Sequence, residues 1–431
     1  EGGLIMKVIN DEQLETSLSS GSKKRFHDFK KQLSTDRLNV IFDDKVLNVI
    51  ERYCIDQSQV AAVRKYLNEC LDQDGIQFCQ SVKQYAKLED AFHLFSQPDY
   101  TSFRWNRHYQ QALKEMIDEY SIYRLTCLRY SCDEDLINAL PKVNTHSGWT
   151  YIRTGSKKKG DNMEDVFSTY TSVANKAIEE GSFNVPILPG VRTQASGAFE
   201  DDGTFTGTCK HKTRLVSMVD LYQVLAELRF AKPFQKIFCQ KSYYAGGKST
   251  TLISQEISNL RMKFGHYISL DYSHFDQSIS SWLIEDAFKI IRASFSDMSD
   301  QDQKLWDVVI EDFIHKNFVT ANGVVHSDKG VPSGSMFTQI IDSLVNILMI
   351  KTFLIAKGER GGMIVMGDDN LLYTNYHFDK YEIATYLSKN FGVEVNADKT
   401  TEGSMRDDPQ FLSRSWRANG QWRHPNVLLS K

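Results

Sequence analysis

The chain has little excess charge of either sign, no cysteine motif, and no uninterrupted apolar run of about 18 residues. Each scarcity excludes something. A net charge of −4 and a pI near 6.3 argue against a protein that holds nucleic acid by bulk charge alone. The seven cysteines are odd in number, contain no C-x-x-C pair and join no His/Cys cluster of zinc spacing. That is the usage of free thiols in a reducing compartment, not of a disulfide framework or a zinc finger. Without a long apolar run, no membrane span is expected. Internal repeats and low-complexity linkers are also missing. What is present is 431 residues, 41% hydrophobic and 12% aromatic. This is enough for a buried core in two or three interlocking domains and excludes a disordered chain.

The modest net charge is unevenly spread. Between Asn144 and Thr250 there are 14 Lys+Arg against 10 Asp+Glu, so this segment is basic within an acidic protein. Residues 1–140 read mainly as helices, including KKRFHDFKKQLS, DDKVLNVIERYCIDQSQVAAVRKYLNECLDQ and a long amphipathic stretch over Phe103–Tyr130. Character changes at Pro141. NTHSGWTYIRTGSKKKGDN (144–162) reads as a loop that offers Lys157, Lys158 and Lys159 to a phosphate backbone. The segment that follows reads as short strands closing on Lys210, Lys212 and Arg214, whose alternate spacing puts three cations on one strand face. YYAGGKST (243–250) lacks the first glycine of a P-loop, because Ser242 stands at that position.

Further on, Tyr267–Leu270 reads as a strand with Asp271 at its end and Asp276 five residues later, before a helix over Ser281–Phe295. Residues 296–329 read as polar and partly helical. Gly330–Gly334 forms a tight loop that feeds a long apolar helix carrying Thr338, Asp342 and Asn346 on one face. Two apolar runs, Met363–Met366 and Leu371–Tyr373, then flank Gly367-Asp368-Asp369-Asn370, the pattern of a β-hairpin with two carboxylates at its tip. Adjacent acids on a tight turn are either simply solvated or neutralised by a cation, for which an oxygen-only site suits Mg²⁺ or Mn²⁺. Lys380–Asn390 reads as a helix and Gly392–Lys399 as a strand-like segment ending NADKT.

Taken in order, Asp271 with Asp276, Ser333-Gly334 with Thr338, Gly367-Asp368-Asp369, Lys399 and Phe411–Arg414 resemble motifs A to E of viral RNA-dependent RNA polymerases. Lys212–Arg214 resembles motif F and Asn144–Trp149 motif G. The wording GVPSGSMFTQIIDSLVN is most similar to polymerases of small double-stranded-RNA viruses, the partitivirus and picobirnavirus groups. The resemblance covers about residues 144–414. It implies an α+β right-handed polymerase with an antiparallel palm sheet backed by helices. Residues 1–140 would form a helical extension or fingers, 141–264 fingers with template and phosphate loops, 265–285 and 330–415 the palm, and 286–329 a fingers insertion. Only 17 residues follow Arg414, so 416–431 would be a short or truncated thumb.

The implied chemistry is nucleotidyl transfer from NTPs to an RNA 3′-OH. Asp271 and Asp368, supported by Asp369, would hold two Mg²⁺ or Mn²⁺ ions about 3.5–4 Å apart. Lys399 would protonate the leaving pyrophosphate. Asp276, Ser333, Gly334, Thr338, Asp342 and Asn346 would contact the ribose, with Asn346 orienting Asp276. Lys210, Lys212 and Arg214 would bind the triphosphate. Ser147, Gly148, Lys157, Lys158, Lys159 and Arg414 would touch RNA. The implied partners are template and product RNA, NTPs and a capsid protein, in host cytoplasm or within a virion. A reverse transcriptase shares the acids but places a bulky aromatic where Asp276 stands. A non-catalytic RNA-binding scaffold would not need them.

Overall fold

The computed structural model describes residues 9–33 and 103–427, apart from 201, 419 and 425, with the isolated positions Lys65, Asp72, Asp74, Gly75, Phe92 and Phe95. The helix expected over DDKVLN…ECLDQ therefore lies almost wholly outside the described residues. At the N-terminal end, α1 (Asp11–Thr16) opens on an Asn10–Gln13 capping box, and α2 (Ser20–Leu33) follows. The basic KKRFHDFKK run lies on α2. Its Phe26 and Phe29 are buried, and Phe26 meets Trp149 edge to face at 5.4 Å.

The long helix expected over Phe103–Tyr130 is shorter. α3 (Arg107–Tyr120) begins where the Asn106 side chain accepts from the His108 amide, and it ends at Ser121. Beyond it, the β-branched and aromatic residues of Ile122–Tyr130 favour extended backbone. The Leu125 amide donates to the Ser294 carbonyl and the Leu128 amide to that of Arg229. Next come α4 (Asp133–Ala139), α5 (Trp149–Thr154) inside the segment expected as a loop, and α6 (Met163–Glu180). β1 (Leu188–Ser196) and β2 (Lys210–Met218) then pair antiparallel over their whole length.

The buried helix α7 (Leu221–Phe238) and α8 (Thr250–Lys263) precede β3 (His266–Ser269), β4 (Tyr272–Ser273), α9 (Phe275–Ser278) and α10 (Ser281–Ala293). Residues 296–329 are partly helical, as expected, but not polar throughout. α11 (Asp300–Ile314), opened by a Ser299–Asp302 capping box, buries Leu305, Trp306, Val309 and Phe313 in the main core, and β5 (Lys316–Thr320) pairs with β6 (Gly323–Ser327). The chain continues through α12 (Thr338–Lys357), β7 (Gly361–Met366), β8 (Asp369–Thr374), α13 (Lys380–Phe391), β9 (Glu394–Val395), β10 (Thr401–Ser404), β11 (Gln410–Phe411), β12 (Arg414–Arg417) and β13 (Gly420–Trp422).

The mixed helix and antiparallel-sheet class expected from the sequence is the one observed. The sheet that carries the acids has the order β10-β3-β8-β7, all antiparallel. The edge of β7 is covered by Tyr243–Ala245, which pairs with Val365 through two backbone bonds of 2.8 and 2.9 Å. Lys248 donates to the Lys241 and Ser242 carbonyls, so GGKST is a helix lead-in and not a phosphate cradle.

Behind the sheet runs α12, whose Ile341, Leu344, Val345, Leu348 and Phe353 are fully buried among α3, α10 and α13. Truncating one such leucine costs about 2–5 kcal/mol. Contrary to the sequence expectation, α12 is long and apolar enough by composition to cross a membrane. However, 78% of its most apolar window is buried inside the protein, as a core helix requires.

Candidate active site

The hairpin tip is built as its residues predict. β7 and β8 are joined by the two-residue turn Gly367-Asp368, with Met366 opposite Asp369. Gly367 has φ +67°, a conformation that calls for glycine, whereas the nearest atom to an added Cβ is the flexible end of Gln339. α12 holds this turn from below. The Gly367 amide donates to Ser343 Oγ (2.8 Å), and Asn346 Nδ2 donates to the carbonyls of Gly367 (3.0 Å) and Asp368 (3.1 Å). Tyr272 Oη donates to Asn346 Oδ1 at 3.1 Å, so the amide is fully engaged. Asn346 therefore orients the Asp368 turn, not Asp276 as the sequence suggested.

Asn370 is the residue that sequence reasoning passed over. Wholly buried, it accepts from the Leu270 amide (3.2 Å) and donates to the carbonyls of Leu270 (3.4 Å) and Asp368 (3.2 Å). The amide side chain thereby ties the end of β3, and with it Asp271, to the hairpin tip. The only signal was its place as fourth residue of a turn tetrad. Asp271 is fixed on its other side by the Lys399 loop: its carbonyl accepts from the Asn396 amide (2.8 Å), and its amide donates to Thr400 Oγ1 (3.2 Å). Lys399 itself is exposed.

Asp271, Asp368 and Asp369 are exposed, whereas Asp342 is buried and Asp276 is largely so. Burial first, and then the Asp368 charge, raise the Asp276 carboxyl above its ordinary range, while the Gln277 amide and Arg214 act in the opposite sense. Asp342 is raised well above that range by burial, then by Asp276 and Asp368, and its Oδ1 has no hydrogen-bond partner. Asp276, Asp342 and Asp368 thus share one electrostatic neighbourhood, which contains the orphaned acceptor Asp342 Oδ1. An all-oxygen donor set without thiol or imidazole fits a hard divalent cation.

The glycine of the loop that feeds α12 marks a close approach. A Cβ on Gly334 would lie 1.8 Å from the Ser217 carbonyl, and Ser333 Oγ accepts from the Ser217 amide at 2.9 Å. The loop is therefore docked on the end of β2. Thr338 Oγ1 donates to the Pro332 and Ser335 carbonyls and closes the loop on itself. Lys210, Lys212 and Arg214 lie at alternate positions of β2 as expected. Arg192 stands directly opposite Arg214, a cation the sequence reading did not single out, and two like charges facing across strands favour an anion between them.

Two of the expected RNA contacts are interior. Ser147 is fully buried, its amide donating to the Lys157 carbonyl. Lys159 is buried beside Glu227 and Asp220, and burial lowers its ammonium pKa. Gly148 is packed on the Val219–Asp220 backbone. Lys157 and Lys158 are exposed, and Arg414 bonds to Gln421.

Residues 41–428 match the profile of the family described as viral RNA-dependent RNA polymerase. The chain belongs to that family. Among curated relatives, it is 26% identical over 286 residues to the genome polyprotein of human parechovirus 2, covering 63% of this chain and 12% of the polyprotein. It is 27% identical over 185 residues to the RNA-directed RNA polymerase of Cryptosporidium parvum virus 1, covering 41% of this chain and 34% of that one. With the RNA-directed RNA polymerase of Atkinsonella hypoxylon virus it shares 35% over 110 residues, 22% of this chain and 16% of that one. The chain thus spans between 12% and 34% of these relatives' length. The fold is similar to the crystal structure of a human picobirnavirus RNA-dependent RNA polymerase, with TM-score 0.63, 14% identity, and coverage of 94% of this chain and 78% of that one.

Proposed function

We propose that this protein carries out template-directed RNA synthesis, transferring nucleotides from NTPs to an RNA 3′-OH. The observation that carries the reading is the convergence of Asp271 and Asp368 through the Asn370 clamp, in a chain of the viral polymerase family. In this reading the β10-β3-β8-β7 sheet with α12 and α13 is the palm (265–285 and 330–415). The chain before it, with 286–329, forms the fingers, and 416–431 begins a thumb. Two Mg²⁺ or Mn²⁺ ions held by Asp271 and Asp368, with Asp369 in support, would activate the attacking hydroxyl and neutralise the triphosphate when bound.

The remaining work belongs to the chain's own residues. Arg214, Lys210 and Lys212 bind the phosphates from the β2 side. Lys399, on the loop fastened to Asp271, protonates the leaving pyrophosphate. Asp276 accepts from the ribose hydroxyls, and the raised pKa of Asp342 lets it stand beside Asp276 without two full charges meeting. A short acid at Asp276 admits a 2′-OH, which favours ribonucleotides over the reverse-transcriptase reading. Lys157, Lys158 and Arg414 contact RNA. The test is primer or template extension by purified protein with NTPs and Mg²⁺. Extension on RNA with ribonucleotides supports the reading. Extension with dNTPs only, or RNA binding without extension, sinks it.

A further inference from the structure

A second donor set lies on the β5–β6 hairpin. Asn317 faces His326 and Lys316 faces Ser327 across the strands. Strand alternation puts Asn317 and His326 on one side and Lys316 and Ser327 on the other, so His315 and Asp328, one step further out, return to the first side. There, His315 Nδ1 and His326 Nε2 both meet Asp328 Oδ1, at 2.7 and 2.6 Å, and the three atoms lie within 4.8 Å of one another. The outer nitrogen of His326 is within hydrogen-bond reach of an oxygen, and that of His315 has a carboxylate nearby. His326 Nδ1 is 3.1 Å from Asn317 Oδ1, and His315 Nε2 is 3.9 Å from Glu311 Oε2. An imidazole whose outer N–H is turned to oxygen presents a lone pair inward, the arrangement that orients metal-bound histidines. With the His326 N–H turned out to Asn317, the inner lone pair and the Asp328 oxygen repel unless a proton or a metal ion stands between them.

We propose that His315, His326 and Asp328 form a site for a transition-metal dication of the Zn²⁺ class, with Glu311 and Asn317 holding the imidazoles and water completing the tetrahedron. Two nitrogens and one oxygen suit Zn²⁺ and disfavour the Mg²⁺ that suits the carboxylate centre. Donors about 2.0–2.2 Å from zinc stand somewhat more than 3 Å apart in a tetrahedron. Asp328 must therefore swing back by about 0.6–1 Å, which its 60% exposed side chain allows. Glu311, His315 and Asn317 also line an adjoining cavity of about 300 Å³, which offers a hydrated ion a way in. Just beyond Asp328, the Gly330 amide donates to the Ile279 carbonyl (2.8 Å) and the Val331 amide to that of Asp276 (2.7 Å). A metal here fastens α11 and the hairpin at the root of the segment that holds the Asp276 backbone.

The test uses the full chain carrying Asp271→Asn and Asp368→Asn, so that the carboxylate centre does not compete. The protein is stripped with chelator, titrated with ZnCl₂ by calorimetry, and titrated with Co²⁺ by visible absorption. The expected result is one Zn²⁺ per chain, a tetrahedral Co²⁺ band that Zn²⁺ displaces, and a higher thermal midpoint with Zn²⁺. His326→Gln, which keeps side-chain bulk, and Asp328→Asn should each abolish the band while circular dichroism stays unchanged. Asn317→Ala should weaken binding by about 10–100-fold. No saturable Zn²⁺ binding in the parent, or undiminished binding in both His326→Gln and Asp328→Asn, overturns the proposal and leaves protons as the cations that bridge the cluster.

Discussion

Asp271, Asp368 and Asp369 at the rim and Asp276 and Asp342 beneath them are the same side chain in two environments. The rim acids are exposed, on turns fastened by Asn346, Asn370 and the Lys399 loop. Water reaches all three of them. The inner pair has lost that solvent, and each carboxyl is pushed toward its protonated form by burial and by the others' charge. The difference teaches that solvent access divides one acidic cluster into carboxylates open to a dissolved ligand and carboxyls whose burial favours the proton.

The sharpest way to break this division is at the rim. Asp271→Asn and Asp368→Asn should each abolish nucleotide incorporation while RNA binding, followed by filter retention, stays near wild type. Measurable Mg²⁺-dependent extension by Asp368→Asn would remove the rim acids from the chemistry. Next in size is Lys399. Because general-acid help is worth at least about 10²-fold, Lys399→Leu should slow single-turnover incorporation by that factor with NTP affinity little changed. An unchanged rate would return Lys399 to a solvated loop.

The inner pair should show itself in sugar choice. Asp276→Ala should narrow the NTP/dNTP preference by about 1.5–3 kcal/mol, the worth of a hydrogen bond to a charged group. Asn346→Ala, which strips the turn of two bonds, should lower turnover of NTP and dNTP together. A collapse of the ratio in Asn346→Ala, with Asp342→Ala unaffected, would place sugar reading one helical turn further along.

The smallest effect is on stability. Both inner carboxyls have pKa values raised on folding, so the folded state binds more protons above the ordinary carboxyl range near pH 4. Their contribution is most favourable below that point and is lost as pH rises toward the raised values. Asp342→Asn should flatten that decline and raise stability at pH 7 by on the order of 1 kcal/mol. Urea titrations at pH 4.5 and 7.5 measure it, and a variant that follows the wild-type pH slope would show that Asp342 is not the group responsible.

Some of this was legible in the residues alone. The Gly367-Asp368 turn, the alternating cations of β2 and the apolar stripe of α12 follow from short-range rules, because turn chemistry and strand or helix period are set within a few residues. Helix ends were less legible. Phe103–Tyr130 keeps helical spacing past Ser121, yet its last third pairs with Ser294 and Arg229, partners that no local pattern names.

The sequence by itself determined which acids the chain carries and the order in which it presents them, since residue type and spacing do not depend on where the chain goes. Tertiary structure alone decided which of them meet water. Asp342 is buried on a helix that packs against elements from both sides of the sequence, and Leu270 meets Asn370 across 100 residues of chain. It also took Ser147 and Lys159 inside, turned Asn346 to the Asp368 loop, and set His315, His326 and Asp328 on one side of a hairpin. Burial and cross-strand pairing are properties of the packed chain, and the free energy that shifts a carboxyl or gathers a metal's donors appears only once that packing has removed the water.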